Sequence, residues 1–344
     1  MDKSKVKKIL VIKLKGIGDV VLSTIVLKNL KKDFPDSSID FLTEPPSIPV
    51  LNGLPQINKI ILFRNKEKLG GLKTIYEVMR GKYDLIIDFY SNPRTALITY
   101  LSFAKYRAGF PYRGRKYAYN LFGPPERGIY HSADLHLEFL KSIGLSADEK
   151  DLLFPEDKES IRFAEEYFNG ILKTDGLVVA VSPSGGWESK KCPPEVFTAI
   201  SREVIKKFNV KILILWGPDD YGEAVMIKEG INGELAGQAF LAPPTTVLQS
   251  AALIARSHAM ISNDSGPMHI AAAVKTPVLG IFGPTSPFMH APYGEIHKWV
   301  RLDELDCIEC NLLKCPINKR CFYELPIEKI IDTFGMLIKE ITRK

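Results

Sequence analysis

A carboxylate stands at a glycine-rich turn of the kind that usually binds phosphate. The segment KLKGIGDVVLS (13–23) follows the apolar run KKILVI, and Asp19 comes directly after Gly18. Such turns favour anions because free backbone N–H groups and the helix dipole face the ligand. Asp19 would repel a phosphate there. Its position predicts either the N-cap of a helix that starts at Val20 or a general base for an attacking hydroxyl.

Four predicted strand ends in the second half are rich in glycine, serine, proline and asparagine. These residues let a ligand approach the backbone closely and leave helix N-termini open. The pattern indicates a site for a nucleotide diphosphate. The four segments are SPSGGWESKKCP (182–193), WGPDDYGE (216–223), SNDSGPMH (262–269) and FGPTSP (282–287).

A lysine is the expected partner of that diphosphate. A divalent ion that neutralises a diphosphate is commonly held by acidic residues one apart, and no Asp in this chain has another Asp two positions away. Lysine can neutralise a leaving diphosphate as a mobile point charge. Lys190 and Lys191 are both candidates, and Asp264 is predicted as the N-cap of the helix that follows it.

A basic and aromatic segment occupies residues 105–127. Its six Lys and Arg residues face only Glu126, and six aromatic residues alternate with them. Such a mixture suits an anionic saccharide or single-stranded nucleic acid, although a solvated loop is the simpler interpretation.

Four of the five cysteines lie close together near the C-terminus, at Cys307, Cys310, Cys315 and Cys321. Four thiolates at short spacings can bind zinc, but these are not two C-x2-C pairs. Unbound or structural thiols are the preferred interpretation, and a structural zinc site is the weaker alternative.

Short β-branched runs alternate with helical patterns, which predicts parallel α/β sheets. Strands are expected at 7–13, 38–43, 57–63 and 83–90, then at 177–185, 211–217, 258–264 and 277–283. Helices are expected near 19–34, 70–81, 93–103 and 131–143. A turn-rich acidic stretch at 145–160 is the predicted linker between two similar halves.

Composition and charge describe an ordinary globular chain of 344 residues, with 45% hydrophobic and 25% charged residues. Residues 1–150 hold 25 Lys and Arg against 15 Asp and Glu, whereas the remainder holds 21 against 25. The basic half is expected to meet an acidic partner. The N-terminus shows no signal-peptide pattern, and the chain has no long apolar run. We therefore expect a cytoplasmic protein, which is compatible with peripheral contact at the inner face of the cytoplasmic membrane.

Taken as a set, KGIGDVVLS, SPSGGWESKKCPPEVF and ISNDSGPMHIAAAV followed by GIFGPTSP resemble glycosyltransferase family nine, the ADP-heptose:lipopolysaccharide heptosyltransferase family. The resemblance implies the GT-B fold, an α/β architecture of two Rossmann-like doubly wound domains facing each other across a cleft. It implies an acceptor-binding domain at 1–155 and a donor-binding domain at 156–324, with a C-terminal helix at 325–344 that packs back on the first. It also implies inverting transfer of heptose from ADP-heptose to a lipopolysaccharide inner-core acceptor, without cofactor or metal.

The resemblance also implies roles for single residues. Asp19 is the expected general base and Lys190 the expected catalytic lysine. Asp219 and Asp220 are alternatives to Glu223 for holding the ribose. The partners implied are a nucleotide sugar and an anionic lipid-linked saccharide, not nucleic acid. The expected donor-binding residues are Ser184, Glu223, Asp264, Ser265, Gly266, His269, Thr285 and Ser286, and the expected acceptor-binding residues are Gly18, Arg107, Arg113, Arg115 and Lys116.

Three alternatives differ from this hypothesis. A dinucleotide-dependent oxidoreductase fails on charge, because Asp19 would lie against the pyrophosphate and Val21 would replace the third glycine. A polyanion-binding or nucleic-acid-binding module would use residues 105–127 and leave the four strand ends without a role. A transferase of the same fold could use another nucleotide sugar or acceptor.

Overall fold

The computed structural model describes residues 1–64, 67, 69–173 and 176–342. The chain forms two compact units that divide between Glu156 and Asp157. This division lies inside the predicted linker and one residue from the predicted domain boundary.

The first unit is a six-stranded parallel sheet in the order β3-β2-β1-β4-β5-β6, with helices between the strands. Residues 9–12 of β1 are fully buried, as expected for a parallel strand that is covered on both faces. The strands are β1 (Lys8–Ile12), β2 (Ser38–Thr43), β3 (Lys59–Leu62), β4 (Leu85–Asp88), β5 (Tyr106–Gly109) and β6 (Leu121–Phe122), and the helices are α1 (Ile17–Ser23), α2 (Val26–Asp33), α3 (Gly70–Gly81), α4 (Pro93–Leu101) and α5 (Ser132–Ser142).

The second unit repeats this design with a parallel sheet in the order β12-β11-β10-β7-β8-β9. Its strands are β7 (Val178–Ser182), β8 (Lys211–Ile214), β9 (Ala239–Leu241), β10 (Ala259–Asn263), β11 (Val278–Ile281) and β12 (Lys298–Val300). Its helices are α6 (Lys158–Tyr167), α7 (Pro194–Phe208), α8 (Tyr221–Gly230), α9 (Val247–Arg256), α10 (Gly266–Ala273), α11 (Pro287–His290), α12 (Arg320–Tyr323) and α13 (Ile327–Thr342).

Each sheet reverses its strand order at its centre. The reversal falls between β1 and β4 in the first unit and between β7 and β10 in the second. Ligands of doubly wound sheets bind beyond the carboxyl ends of the strands at such points. The turn with Asp19 follows β1, and the segments with Lys190 and Asp264 follow β7 and β10, so both candidate sites lie where this rule expects them.

The α/β class, the two units and the eight expected strands are confirmed. The single helix expected at 19–34 is wrong: α1 begins at Ile17, and α2 begins only at Val26. The Ser23 and Thr24 hydroxyls donate to the carbonyls of Val20 and Val21, and these local bonds compete with the helical ladder where α1 ends.

The C-terminal helix is part of the second unit, where α13 packs against α7, β11 and β12. The physical reason is its apolar face, since Ile330, Phe334 and Leu337 are fully buried in the core of the second unit. Its expected packing on the first unit stays a prediction. Within the described part of the chain, no helix is both long enough and apolar enough to span a membrane.

Candidate functional site

The carboxyl ends of β7 and β10 are tied together across the centre of the second sheet. The Asn263 amide donates to the Pro183 carbonyl (2.8 Å) and accepts from the Cys192 backbone N–H (3.3 Å). This residue was not singled out from the sequence. Its bonds fix both ends of the segment 183–192, which carries Lys190 and Lys191.

Lys190 and the buried Asp264 form an ion pair between these two strand ends. Lys190 Nζ lies 2.5 Å from Asp264 Oδ2, and the side chains are 12% and 6% exposed. The ammonium also lies 4.1 Å from the centroid of the Trp187 ring. A buried cation held in this way is available to an anion that enters the strand-end site.

Asp264 has three neighbours that favour its charged form. Burial by itself would raise the pKa of Asp264, but Lys190, His269 and Thr285 hold that pKa below its ordinary value. Thr285 Oγ1 donates to Oδ2 (2.7 Å), and His269 Nε2 lies 4.0 Å from Oδ1. The structure thus brings together three predicted donor-site residues around Lys190.

The predicted cap at Asp264 is wrong. α10 begins at Gly266, its N-cap is Ser265, and this residue makes no side-chain capping bond. Asp264 instead pairs with Lys190, as a buried carboxylate must when a cation is close. The N-terminus of α10 presents backbone N–H groups beside the pair, which is suitable for phosphate.

The remaining donor candidates are placed less centrally. Ser184 is half-buried in the loop after β7, and Ser286 is the half-buried N-cap of α11. Ser286 makes no side-chain capping bond. Their contact with a donor stays a prediction.

Lys191 points to a different set of carboxylates. Its Nζ lies 2.7 Å from Asp220 Oδ1 and 3.0 Å from Glu223 Oε1. Burial alone would lower the pKa of Lys191, but these two carboxylates raise it above its ordinary value. The two lysines that the sequence could not separate therefore have different partners.

A cavity of about 460 Å³ adjoins Lys191 within the second unit. It is large enough for a nucleoside-sized group and offers both apolar and charged surface. Its lining includes Gly185, Gly186, Trp187, Lys191, Asp219, Asp220 and Glu223. Glu223 is thus in a position to meet a ribose, together with its two sequence alternatives.

Trp187 is a second residue that sequence reasoning missed. Its Nε1 is buried and has no hydrogen-bond acceptor among the described residues. Buried N–H groups are rarely left unpaired, so each needs an explanation. A ligand oxygen in the adjoining cavity would satisfy it.

In the first unit, Asp19 is the third residue of α1 and not its cap. The N-cap is Gly16, and Gly18 is buried inside the first turn. A carboxylate in the first turn is favourable with the helix dipole. The predicted capping role at Val20 is wrong because the helix begins three residues earlier.

Asp19 is the anionic partner of a buried lysine. Lys13 Nζ lies 3.4 Å from Asp19 Oδ1, and the side chains are 8% and 47% exposed. Burial lowers the pKa of Lys13, and the charge of Arg127 acts in the same direction while Asp19 opposes it. Asp19 therefore combines an exposed carboxylate with a buried cation behind it, which suits a base that must be reached by a substrate.

His136 lies buried in this cation-rich region. Burial lowers its pKa well below the ordinary value, and the charges of Lys13 and Arg127 add to the effect. Its imidazole is therefore neutral near pH 7.

Two of the four predicted acceptor-binding cations are engaged in the fold. The Arg107 guanidinium donates to the carbonyls of Ala118 and Ala104, and Arg115 donates to the carbonyl of Ser91 (2.7 Å). Both arginines brace the loops of residues 91–120. These hydrogen bonds to backbone carbonyls indicate a structural role for both arginines.

The other two cations, Arg113 and Lys116, are exposed. Neither forms an ion pair within the ranges that the structure describes. They are the members of the set that a mobile anionic partner could reach.

All five cysteines are free thiols. Burial and the three neighbouring thiols raise the pKa of Cys321 to about 12, and Cys307 and Cys310 are exposed. In the described part of the chain, no three His, Cys, Asp or Glu side chains are arranged to hold a metal ion. The structure thus does not assemble the zinc site considered above.

The segment 307–321 instead packs on the two loops that follow β7 and β11. Backbone bonds join Ser189 to Leu313 and Asn311 to Pro284, and Lys319 forms an ion pair with Glu188 (3.1 Å). The cysteine segment therefore braces the loops that carry Lys190 and Thr285.

Curated relatives resemble this chain over nearly its whole length. It is 26% identical to lipopolysaccharide heptosyltransferase 3 of Escherichia coli K12, with 94% of this chain and 96% of that protein covered. It is also 26% identical to lipopolysaccharide heptosyltransferase 1 of Campylobacter coli, with 85% and 88% covered.

Solved structures show the same fold. A glycosyl transferase family 9 protein from Veillonella parvula superposes with a TM-score of 0.83 at 23% identity, covering 97% of each chain. E. coli ADP-heptose lps heptosyltransferase II gives a TM-score of 0.77 at 19% identity, covering 97% of this chain and 99% of that one. The structural neighbours are heptosyltransferases with the GT-B fold.

The family model of glycosyltransferase family 9 (heptosyltransferase) matches residues 72–320, from α3 to the start of α12. This range holds the Lys190–Asp264 pair, the nucleoside-sized cavity and the cysteine segment except for Cys321. The chain belongs to glycosyltransferase family 9 and is a glycosyltransferase.

Proposed function

We propose that this enzyme transfers a heptose from ADP-heptose to the inner core of lipopolysaccharide, with inversion at the anomeric carbon. The observation that carries the proposal is the ion pair of Lys190 with the buried Asp264 beside the N-terminus of α10. The names of the relatives supply the sugar and the acceptor.

The second unit binds the donor in this proposal. The nucleoside occupies the cavity near Glu223, and the diphosphate lies against Lys190 and the first N–H groups of α10. Asp264 and Thr285 are positioning residues, because one holds the Lys190 ammonium and the other holds Asp264. Ser184, Ser265, Gly266, His269 and Ser286 complete the proposed donor contacts.

The first unit binds the acceptor. Asp19 lies there on a turn with an open approach, since a Cβ built on the neighbouring Gly16 would meet no atom within 4 Å. Arg113 and Lys116 attract the anionic saccharide, with Arg107 and Arg115 shaping the loops that present them. The basic balance of residues 1–150 favours this assignment over the reverse one.

The reaction then needs one base and one stabilised leaving group. An acceptor hydroxyl gives its proton to the Asp19 carboxylate as its oxygen bonds to the anomeric carbon. The bond from that carbon to the phosphate oxygen breaks on the opposite side, and its electrons leave with ADP. Lys190 and the α10 N–H groups stabilise the charge on that oxygen.

The test is turnover of the purified enzyme with ADP-heptose and a defined inner-core oligosaccharide, with NMR of the product anomer. We expect a new heptosyl linkage of inverted configuration and release of ADP. Transfer from another ADP-sugar or UDP-sugar at a higher rate would reassign the donor. A retained anomeric configuration would remove Asp19 from its role.

Ligand-induced thermal stabilisation separates this proposal from the alternatives in other classes. Saturating ADP or an ADP-sugar should raise the melting temperature, because a ligand that binds only the folded state stabilises it by about 2.7 kcal/mol at a hundredfold excess over Kd. NAD should give no shift. A larger response to oligonucleotides than to ADP would favour the polyanion-binding alternative.

A further inference from the structure

The helix α3 carries a second apolar stripe that faces solvent. Leu69, Leu72, Tyr76 and Met79 follow a three- and four-residue spacing, and they are between 39% and 64% exposed. The opposite side of the helix packs on the core of the unit, and Gly70, Thr74 and Val78 are buried there. An amphipathic helix of a globular protein has only one such stripe, so this second stripe needs a partner.

The neighbouring helix α4 repeats the feature. Leu97, Tyr100 and Phe103 are between 42% and 74% exposed, whereas Ala96 and Ile98 are buried. The two helices pack against each other, and an apolar groove of about 190 Å³ lies beside Leu97 and Ile75. We call the seven exposed residues of both helices and their ends the α3–α4 face.

Basic side chains outnumber acidic ones around this face. Glu67 and Glu77 are already paired with Arg64, Lys59 and Lys73. The structure records no ion pair, within the residues it describes, for four exposed basic side chains on or next to these helices, which are Arg80, Lys82, Arg94 and Lys105. An apolar surface with a cationic rim is complementary to an anionic lipid surface.

The face is also connected to the proposed acceptor loops. The rings of Tyr100 and Tyr117 meet edge to face at 5.5 Å, and Tyr117 follows Lys116 directly. A partner that covers α4 would therefore lie beside the segment 105–127.

We propose that the α3–α4 face docks on an anionic lipid bilayer. The choice of a bilayer rests on the proposed function, in which the acceptor saccharide is attached to lipid. The exposed apolar side chains enter the headgroup region, and the basic rim pairs with lipid phosphates. Docking by this face would bring the loops with Arg113 and Lys116 close to membrane-borne acceptor.

Co-sedimentation with vesicles tests the proposal without any sugar chemistry. The full chain should bind vesicles of phosphatidylglycerol and phosphatidylethanolamine, and bind phosphatidylcholine vesicles weakly. The triple variant Leu72→Ser, Leu97→Ser, Phe103→Ser should lose at least about tenfold in affinity, because each side chain contributes buried apolar area. The triple variant Arg80→Gln, Lys82→Gln, Arg94→Gln should lose roughly fivefold per charge at low salt.

The matched control replaces three exposed apolar residues of the second unit, Ile161→Ser, Ile171→Ser and Met336→Ser, and should bind like the wild type. All variants should transfer sugar to a lipid-free acceptor at the wild-type rate, so loss of docking and loss of the proposed activity are distinguishable. Unchanged vesicle binding by the first triple variant would overturn the proposal. A third outcome would assign the face to a second copy of the chain. In that case the wild type binds no vesicles but is a dimer in sedimentation velocity, and the first triple variant is a monomer.

Discussion

The two proposed catalytic side chains both lie in ion pairs, but the pairs differ in solvent access. Asp264 is buried and the Lys190 side chain is only 12% exposed, whereas Asp19 is half exposed against a buried Lys13. A pair with little access to water keeps its charges oriented, so an arriving diphosphate finds a fixed cation. An exposed carboxylate can be approached by a hydroxyl. The proposed roles follow this difference.

Replacing Asp19 by Asn should abolish most turnover because the amide cannot take the acceptor proton. We expect kcat to fall about 10²–10⁴-fold, with donor affinity unchanged. The control is Lys13→Met, which breaks the same ion pair but keeps the carboxylate. If both variants lose activity equally, Asp19 acts only as the partner of Lys13.

Lys190→Ala and Lys191→Ala should affect different kinetic constants. Loss of Lys190 removes charge stabilisation from the leaving diphosphate, so kcat should fall about 10²–10³-fold. Loss of Lys191 should mainly weaken ADP binding, since this residue lines the nucleoside-sized cavity. The opposite assignment of the two effects would move the catalytic role to Lys191.

Because Lys190→Ala leaves a buried carboxylate unpaired, a folding control is needed. The double variant Lys190→Gln, Asp264→Asn removes both charges and should recover thermal stability without recovering turnover.

Trp187→Phe tests the unpaired indole N–H. The phenyl ring can still pack on the Lys190 ammonium, so the ligand-free protein should keep or raise its melting temperature. Donor affinity measured by calorimetry should fall about tenfold if the N–H binds a charged ligand oxygen. Lower stability with unchanged affinity would show a structural role.

The sequence predicts residues of the site best where a strand end displays them directly. Lys190, Asp264 and Thr285 lie in recognisable segments, and the structure brings them together. The sequence does not predict Asn263, because its role depends on a hydrogen bond to Pro183, which is distant in the chain. It does not predict Trp187 either, because the indole N–H is of interest only for its missing acceptor in the described part of the structure. The N-cap assignments at Asp19 and Asp264 were wrong because α1 begins at Ile17 and α10 at Gly266, so neither carboxylate stands at the N-cap position.

In the second unit, the loops after β7 and β11 carry Lys190 and Thr285, and the cysteine segment packs against both loops. The cysteine segment hydrogen-bonds to the loop with Ser189 and to the loop with Pro284. The spacing of the cysteines suggests metal binding, but their surroundings in the structure indicate packing on the loops with Ser189 and Pro284. Pairings of this kind are long-range and cannot be read from spacing alone.

The basic segment 105–127 should divide into two functional groups. Arg113→Gln with Lys116→Gln should raise the KM of an anionic acceptor severalfold, and added salt should reduce the difference from wild type. Arg107→Gln should instead lower the melting temperature, because its guanidinium satisfies two backbone carbonyls. Equal loss of donor and acceptor affinity in the first variant would indicate misfolding.

The long apolar strands were predictable, whereas β5, β6, β9 and β12 were not. β1 and β7 are continuous β-branched runs, as parallel central strands require. β6 has only two residues, and β5 includes the half-exposed Tyr106 and Arg107, so neither shows a hydrophobic pattern. β9 and β12 are equally short, with three residues each.

The two units share one sheet topology but present side chains of different charge at the central strand reversal. Both sheets follow the same strand order, and each has a polar turn at its central reversal. The first turn presents Asp19, and the second presents Lys190 and the N-terminus of α10. Opposite charges at equivalent places favour different ligands for the two units.

Hydrogen exchange on the full chain can test whether the second unit binds the nucleotide and the first unit binds the acceptor. Saturating ADP should slow exchange in the segments that follow β7, β10 and β11, at residues 183–192, 264–269 and 283–286, because these loops hold the proposed diphosphate contacts. Exchange in residues 13–23 should not change with ADP. A lipid-free inner-core oligosaccharide should slow exchange in 13–23 and leave the second-unit loops unchanged. Protection of 13–23 by ADP alone would place the nucleotide in the first unit and contradict the assignment, since direct contact is the simplest source of such local protection.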